Sequence, residues 1–207
     1  MSTAVLAILN GSPIPEGMNH TYVALIPKKH KPIDVSDFRP ISLCNVIYKL
    51  VTKVITNRLK ELLPVIISEN QCAFTPGRLI TNNILVAFEV FHSMNCYSGS
   101  NGSMAIKLDI AKPYDKVEWN FLRRVMLKLD FKPNWVDLVM HCVETTSFSF
   151  LTNGAPCGYV KPSRGLRQGD PISPYLFFFC AEGLSYLIAD VVAKSRLMGH
   201  RICRDAA

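Results

Sequence analysis

Apolar positions in the first half of the chain predict one strand and two helices. Residues 21–27 read TYVALIP, a short β-branched and aromatic run typical of a strand. Over residues 46–63 the apolar positions recur every three or four residues, which is helical spacing, and Pro64 is expected to end that helix. Residues 37–40 are predicted to turn, and a second helix is predicted over residues 80–94.

The second half begins with a different spacing. Residues 104–111 alternate between apolar and other side chains, which predicts a half-buried strand with Asp109 on its open face. Residues 115–118 have the form of a capping box, so a helix is expected from there to residue 129. Another helix fits residues 134–144, and residues 148–153 and 157–161 predict a hairpin around Asn153 and Gly154.

A long apolar stretch occupies residues 175–193 and is predicted to be helical, with Ser173 as its N-cap and Pro174 at its first position. It contains Glu182 and Asp190, and each carboxylate near a bilayer centre would cost about 2.5–3.5 kcal/mol. We therefore expect a buried core helix and no membrane partner. Residues 1–10 lack the positively charged segment with which a signal peptide begins. No signal peptide is therefore predicted, and an intracellular protein is expected.

Composition narrows the class of protein. Of the 207 residues 49% are hydrophobic and 19% charged, which excludes a disordered or low-complexity chain. The net charge of +7 suits a polyanionic partner. Seven cysteines with no Cys-x-x-Cys pair favour a reducing compartment over disulfides or zinc. The polar, glycine-rich stretch at 95–103 is expected to be a loop between two regions, 1–100 and 101–207.

Two places could carry chemistry. Asp109, at the end of an apolar strand, is either a water-facing residue or a ligand for a hard divalent cation. Tyr114 would reach the same cleft, and Asp115 is interpreted as a helix cap, not a second ligand. The loop at residues 165–174, GLRQGDPISP, opens a helix and carries Arg167, which suits an anionic or nucleotide ligand. An ordinary capped loop is the alternative.

Four segments in order resemble the reverse transcriptase of non-LTR retrotransposons, particularly the LINE type of plant genomes. The first combines IPKK at residues 26–29 with DFRPIS at residues 37–42. The others are QCAFTPGR at residues 71–78, the stretch from KLD to YD at residues 107–115, and GLRQGDPISP at residues 165–174. The likeness extends over residues 19–199. A group II intron maturase is the alternative family, but the DFRPIS and GLRQGDPISP segments favour the LINE type.

The resemblance implies an α+β right-hand polymerase, with residues 1–100 as fingers and 101–207 as a partial palm. It implies nucleotidyl transfer on an RNA template and a DNA primer, with deoxynucleoside triphosphates as substrates and two Mg²⁺ ions as cofactors. The oligomeric state is left open.

Roles for individual residues follow from the same resemblance. Asp109 would be the catalytic carboxylate that binds the first metal ion, and Tyr114 the gate that excludes a 2′-hydroxyl. Lys28 and Arg39 would grip the triphosphate. The nucleotide pocket would also be lined by Gln168 and Gly169, and nucleic acid would be contacted by Arg78 and Arg167.

One family feature is missing from these residues. The family's second catalytic box is Phe/Tyr-Ala-Asp-Asp, and no Asp-Asp dipeptide occurs here; after Asp170 the remaining aspartates are Asp190 and Asp205. Pro113 also stands where relatives usually have alanine. We therefore expect a palm sheet without its catalytic hairpin, in a truncated copy that is inactive and poorly soluble alone.

Two other interpretations stay open. In the first, the chain is a non-catalytic nucleic-acid-binding remnant that keeps a basic cleft. In the second, the missing box lies on another chain or on a longer transcript.

Overall fold

A computed structural model describes residues 2–72, 75, 77–97, 102–200 and 202. The chain forms two compact units: the first combines Met1–Leu59 with Lys112–Ala181, and the second combines Lys60–Ala111 with Glu182–Ala207. Each unit therefore joins two separate stretches of sequence. The division at residue 100 into fingers and partial palm remains a prediction, and residues 98–101 of the expected loop lie outside the described residues.

The first unit contains a four-stranded mixed sheet in the order β2-β1-β3-β4. Its strands are β1 (His20–Pro27), β2 (Phe38–Leu43), β3 (Ser147–Thr152) and β4 (Ala155–Val160). Strand β1 pairs antiparallel with β2 and parallel with β3, and β3 pairs antiparallel with β4. The predicted hairpin is confirmed, because Asn153 and Gly154 turn the chain with φ of 52° and 82°.

Strand β2 replaces most of the turn expected at residues 37–40. A 3₁₀ turn covers Val35–Asp37, and the chain is already extended at Phe38. Pro40 is tolerated in β2 because this strand lies at the edge of the sheet.

Within the described residues six α-helices accompany the sheet, and all but the first were expected with nearly these limits. They are α1 (Ser2–Leu9), α2 (Val46–Ile66), α3 (Ile80–Cys96), α4 (Trp119–Lys128), α5 (Pro133–Glu144) and α6 (Ser173–Ala193). Helix α1 was not predicted. Helix α2 continues past Pro64, which lacks the N–H that would donate to the carbonyl of Lys60, and ends two residues later at Ile66.

The core of the first unit is formed by apolar helix faces. Helix α2 contributes four side chains at three- and four-residue spacing, and the shorter helices add the rest: Tyr48, Val51, Ile55, Leu59, Leu122, Met126, Val136, Val139, Met140, Leu176 and Phe179, all at most 1% exposed. Burying each large side chain contributes about 1.5–3 kcal/mol.

Two predicted helix starts differ from the structure. Helix α4 begins at Trp119 with Glu118 as N-cap and no side-chain cap hydrogen bond, so the capping box at residues 115–118 was wrong. Asp115 lies instead in a 3₁₀ turn, Tyr114–Lys116. At α6, Ser173 is already helical, and Asp170 Oδ1 accepts the amide of Ile172 over 3.2 Å.

The predicted strand at residues 104–111 does not form. Residues 102–110 are irregular and exposed in the second unit, including Asp109 and the apolar residues of the alternating pattern. The alternation marks two faces, but a strand also needs a partner strand, and no strand within the described ranges pairs here.

Helix α6 is buried only in its first half. Leu176 and Phe179 are inaccessible, whereas Leu184, Tyr186 and Leu187 are between 43% and 62% exposed. The expected core helix therefore ends near Glu182. Within the described part of the chain, α6 is the single helix whose length and apolar composition would allow a membrane crossing. The expectation of poor solubility remains a prediction.

Candidate functional site

A cleft of about 550 Å³ in the first unit brings together four residues that the resemblance assigned to nucleotide binding. Lys28 follows β1, Arg39 lies in β2, Tyr114 lies in the 3₁₀ turn and Gln168 lies in the loop before α6. This volume is within the range of small-molecule sites. The full lining of this nucleotide cleft is Leu25, Lys28, Val35, Ser36, Phe38, Arg39, Pro40, Lys112, Pro113, Tyr114, Asp115, Phe150 and Gln168.

The lining of the nucleotide cleft carries an excess of positive charge. Lys28, Arg39 and Lys112 are cationic, and Asp115 is the single carboxylate of the lining, so three charges minus one leave a net charge of +2. Aromatic and proline side chains supply the apolar surface. This combination suits a ligand with an anionic end and an apolar or aromatic end.

Lys28 is held by the 3₁₀ turn that precedes β2. Its amide donates to the carbonyl of Asp37 over 2.7 Å, and its Nζ donates to the carbonyl of Ser36 over 2.9 Å. Asp37 in turn pairs with Lys29 Nζ at 2.8 Å and accepts the amide of Ile33 at 2.9 Å. The hydrogen bond from Lys29 and these backbone bonds hold the pKa of Asp37 below its usual value.

A backbone and a side-chain hydrogen bond attach the loop at residues 165–166 to the turn that carries Tyr114 and to the start of α4. The amide of Leu166 donates to the carbonyl of Tyr114 over 2.9 Å, and the Trp119 indole donates to the carbonyl of Gly165 over 2.8 Å. Gly165 has φ of +92°, and a Cβ there would lie 3.2 Å from the Tyr114 carbonyl oxygen. Glycine is therefore required at this contact.

The ring of Tyr114 packs against an aromatic side chain of α6. It meets Phe177 edge-on, with 5.6 Å between centroids. Burial raises the pKa of the Tyr114 phenol, so the hydroxyl stays protonated at neutral pH. A bulky, neutral ring consequently forms part of the cleft wall.

The other end of the same loop is attached to β2. The amide of Ser42 donates to the carbonyl of Gln168 over 2.9 Å. Gly169 has φ of +102°, and a Cβ there would lie 3.4 Å from the carbonyl oxygen of Ser42. Gln168 therefore lines the cleft, while Gly169 allows the loop to approach the edge strand and is not part of the lining.

Arg167 is buried, whereas the resemblance assigned it to contact with nucleic acid. Its side chain is 4% exposed and pairs with Asp170 over 2.9 Å. Nη1 donates to Asn19 Oδ1 over 2.6 Å and to Thr21 Oγ1 over 3.1 Å, and the guanidinium lies 3.9 Å from the ring centroid of Tyr48. These buried partners occupy the donors that a phosphate would need. We call these five residues the Arg167 network.

Burial and charge act on Arg167 in opposite directions. Burial alone would lower the pKa of Arg167, but the electrostatic interactions with Tyr48 and Asp170 raise it by more. The net effect is a raised pKa, so the guanidinium stays charged. Every side-chain nitrogen and oxygen that is buried within the described ranges has a hydrogen-bond partner. The Arg167 network is therefore a satisfied structural core beneath the loop that carries Gln168.

Arg78 belongs to the second unit and stabilises a turn there. Its Nη1 donates to the carbonyls of Ser68 over 2.6 Å and of Gln71 over 2.8 Å. Glu182 Oε1 accepts the amide of Ser68 over 3.0 Å. Contact of Arg78 with nucleic acid remains a prediction, and residues 73, 74 and 76 of the same motif lie outside the described residues.

The metal role of Asp109 also remains a prediction. The residue is exposed in the irregular stretch of the second unit. Across the described ranges no group of three or more histidines, cysteines, aspartates or glutamates could hold a metal ion. Asp205, the last aspartate of the chain, lies outside those ranges.

Two groups of residues were missed at the sequence level. Lys112 lines the nucleotide cleft, and its neighbours Pro113 and Tyr114 were the available signal. In the Arg167 network, no sequence motif includes Asn19, Thr21 or Tyr48. Their partners, Arg167 and Asp170, lie more than 100 residues away along the sequence. The polar residues Thr52 and Thr56, one and two helical turns after Tyr48 on the buried face of α2, were the available signal for polar contacts in the core.

Comparison with known proteins identifies the family. The family model described as reverse transcriptase (RNA-dependent DNA polymerase) matches residues 26–199. An uncharacterized 149 kDa protein of transposon TX1 from Xenopus laevis is 28% identical over 188 residues, which are 90% of this chain and 14% of that protein. The Pol polyprotein of a type-1 retrotransposable element R2 from Nasonia vitripennis is 29% identical over 157 residues, which are 74% of this chain and 14% of that protein.

A shorter match involves an uncharacterized mitochondrial protein of Arabidopsis thaliana, 54% identical over 57 residues, which are 28% of this chain and 47% of that protein. The chain thus spans only 14% of the two long relatives. Because the family model covers most of its length, the chain belongs to the reverse transcriptase family and corresponds to the reverse transcriptase domain of non-LTR retrotransposons.

Proposed function

We propose that this chain provides the nucleotide-binding part of an RNA-directed DNA polymerase. The observation that carries the proposal is the convergence of Lys28, Arg39, Tyr114 and Gln168 on one cleft. The ligand would be a deoxynucleoside triphosphate, and the intact enzyme would copy an RNA template from a DNA primer. The net charge of +7 supports a polyanionic partner.

Each lining residue has a chemical task in this proposal. Lys28 acts as a point charge and Arg39 as a planar fork on the triphosphate. The Tyr114 ring packs beneath the sugar and excludes a 2′-hydroxyl by its bulk. Gln168 offers an amide to the nucleotide. The backbone bonds at Ser42 and Tyr114 keep these groups in place before the ligand arrives.

The two Mg²⁺ ions of the family do not fit the described residues alone. Mg²⁺ prefers several oxygen ligands, and Asp109 offers one carboxylate. No Asp-Asp dipeptide occurs in the 207 residues, and the described ranges hold no candidate metal cluster. We therefore propose that these residues bind nucleotide but do not extend a primer without further carboxylates.

A LINE-type affiliation close to plant elements is part of the proposal. It is supported by the DFRPIS and GLRQGDPISP segments, together with the 54% identity to the Arabidopsis protein over 57 residues. A phylogeny of complete reverse transcriptase domains would test it, and placement among group II intron maturases would contradict it.

Nucleotide titration tests the main proposal. Thymidine triphosphate should bind the wild type, and the double substitution Lys28→Ala with Arg39→Ala should weaken binding about 100-fold, since two charged contacts are lost. The control is Lys132→Ala, an exposed lysine outside the cleft. Equal affinity of the double variant and the wild type would reject the cleft as the nucleotide site.

Primer extension tests the catalytic half of the proposal. No extension of a DNA primer on an RNA template is expected with Mg²⁺ or Mn²⁺. Extension that disappears in Asp109→Ala would show that the chain is active and that Asp109 is catalytic. If the protein binds primer–template with steep salt dependence but binds no nucleotide, the non-catalytic nucleic-acid-binding interpretation replaces this one.

A further inference from the structure

Lys112 is a cation in the wall of the nucleotide cleft that the family motifs did not assign. It lies two residues before Tyr114 and lines the same cleft as Lys28 and Arg39. We propose that Lys112 is a third phosphate-binding residue, which makes the cleft selective for nucleotides that carry several phosphates. This inference rests on the proposed function, because it assumes that the cleft binds a nucleotide.

Within the described ranges, the cations of the nucleotide cleft differ from those around it in having no ion-pair partner. Other cations nearby are neutralised: Lys29 pairs with Asp37 at 2.8 Å, and Arg164 pairs with Glu118 at 3.2 Å. For the part of the chain that the structure describes, Lys28, Arg39 and Lys112 have no carboxylate within the 4.0 Å ion-pair distance. Three cations without an ion-pair partner among the described residues, against the single carboxylate of Asp115 in the lining, leave a net positive cleft whose attraction grows with each negative charge on the ligand.

Lys112 supplies hydrogen-bond donors that its neighbour in the cleft wall lacks. Pro113 lies in the same wall and has no N–H, so its backbone cannot donate a hydrogen bond to a phosphate oxygen. The ammonium group of Lys112 supplies up to three donors beside it. This stretch of the wall can therefore bind a phosphate oxygen through the Lys112 side chain, although its proline cannot do so through the backbone.

The backbone of Lys112 has an unusual conformation. Lys112 has φ of +50°, in the left-handed region that lysine seldom adopts. Its carbonyl accepts the amide of Asp115 over 3.2 Å, and the 3₁₀ turn with Tyr114 follows directly. Unfavourable backbone conformations at non-glycine residues concentrate at ligand clamps, where the surrounding structure maintains them. The same turn thus places Lys112 and Tyr114 in one wall.

The test compares ligands that differ only in phosphate number. Thymidine, its monophosphate, its diphosphate and its triphosphate are titrated calorimetrically into the full chain with a chelator present, so that no divalent metal contributes. Lys112→Ala should weaken triphosphate binding about tenfold, affect the diphosphate less, and leave thymidine unchanged. Lys112→Arg should retain most of the triphosphate affinity, since the charge remains.

Two further variants separate charge from other causes. Lys116→Ala removes an exposed lysine from the same 3₁₀ turn that does not line the cleft, and it should bind like the wild type. Lys112→Gly tolerates the left-handed backbone and should lose as much affinity as Lys112→Ala, because the missing charge is the cause.

The failing outcomes are distinguishable. If the wild type binds triphosphate and Lys112→Ala binds it equally well, Lys112 is not a phosphate ligand and the proposed function stands. If Lys112→Ala loses affinity for thymidine as much as for the triphosphate, the inference also fails, because the loss is structural. If the folded wild type binds none of the four ligands, the proposed function and the inference fall together.

Discussion

The hydroxyl of Tyr48 donates a hydrogen bond to Oδ2 of Asp170 over 2.8 Å, although 122 residues separate them. Both side chains are buried, and burial raises the pKa of Tyr48 well above its usual value, so the hydroxyl remains a donor. Asp170 also pairs with Arg167 over 2.9 Å. Helix α2 is thereby connected to the loop that presents Gln168.

Breaking the buried ion pair should destabilise the protein strongly. Arg167→Met leaves the Asp170 carboxylate buried without its cation, which is expected to lower the free energy of unfolding by about 3–5 kcal/mol. Urea denaturation followed by circular dichroism measures this. The control Arg164→Met removes an exposed pair with Glu118 and should cost less than about 1 kcal/mol. Similar losses in the two variants would contradict a buried role for Arg167.

Tyr48→Phe should lower the free energy of unfolding by about 1.5–3 kcal/mol, because it removes one hydrogen bond to a charged group without changing the apolar volume. Tyr159→Phe is the matched control, since that tyrosine is 70% exposed. Urea midpoints of the two variants provide the comparison. An unchanged midpoint for Tyr48→Phe would show that the carboxylate does not depend on the hydroxyl.

Gly165→Ala should be more destabilising than Gly158→Ala. Both glycines have positive φ, +92° and +67°, but only the Gly165 site has the Tyr114 carbonyl oxygen within 3.2 Å of a new Cβ. The backbone conformation alone costs about 1–2 kcal/mol, and the contact adds to it at Gly165. Thermal unfolding of both variants checks the order, and a larger effect at Gly158 would refute the contact.

Tyr114→Ala should relax discrimination between ribose and deoxyribose. Removing the ring opens space in the cleft wall, so the affinity for a ribonucleotide should rise relative to the deoxyribonucleotide by about tenfold. Competitive titration of the two triphosphates measures the ratio. Phe150→Ala removes another aromatic group from the lining and should leave the ratio unchanged. A ratio that changes equally in both variants would reject Tyr114 as the gate.

The 3₁₀ turn at Val35–Asp37, whose carbonyls accept hydrogen bonds from Lys28, should open more readily at acidic pH. Because the folded pKa of Asp37 is lowered from 3.8, mainly by Lys29, its stabilising contribution is full above that value and disappears as the pH falls through the lowered pKa. Amide hydrogen exchange at Ile33 and Asp34 should therefore accelerate, relative to its intrinsic rate, at acidic but not at neutral pH. In Asp37→Asn this pH dependence should be absent, and its persistence would assign the effect to another group.

Local patterns predicted elements whose formation is local. Helical spacing located α2, α3 and α5, and Asn153-Gly154 located the hairpin, because side-chain periodicity and turn conformation depend on neighbouring residues. The strand at residues 104–111 and the capping box at Asp115 were wrong for a common reason. Each pattern describes which residues could form an element, whereas partner strands and the preceding turn decide whether it forms.

The candidate site divides in the same way. Lys28, Arg39, Tyr114 and Gln168 carry motif resemblance, and the structure places them around one cleft. Arg167 carries the same motif but is buried, because its surroundings come from Asn19, Thr21 and Tyr48, far away in sequence. The environment of a cation therefore requires the tertiary structure, even when its motif is recognised.

The parallel pairing of β1 with β3 has a consequence for how the molecule is made. His20 and Ser147 are register partners 127 residues apart, and the Ser42 amide bonds to the Gln168 carbonyl. During synthesis, β1 and β2 emerge long before β3 exists, so the early strand pair exposes an unpaired edge until Ser147–Thr152 has been translated. The cleft around Lys28 and Arg39 can therefore be completed only after the loop at residue 168 has left the ribosome, so this site forms late in synthesis although its first two cations are made early.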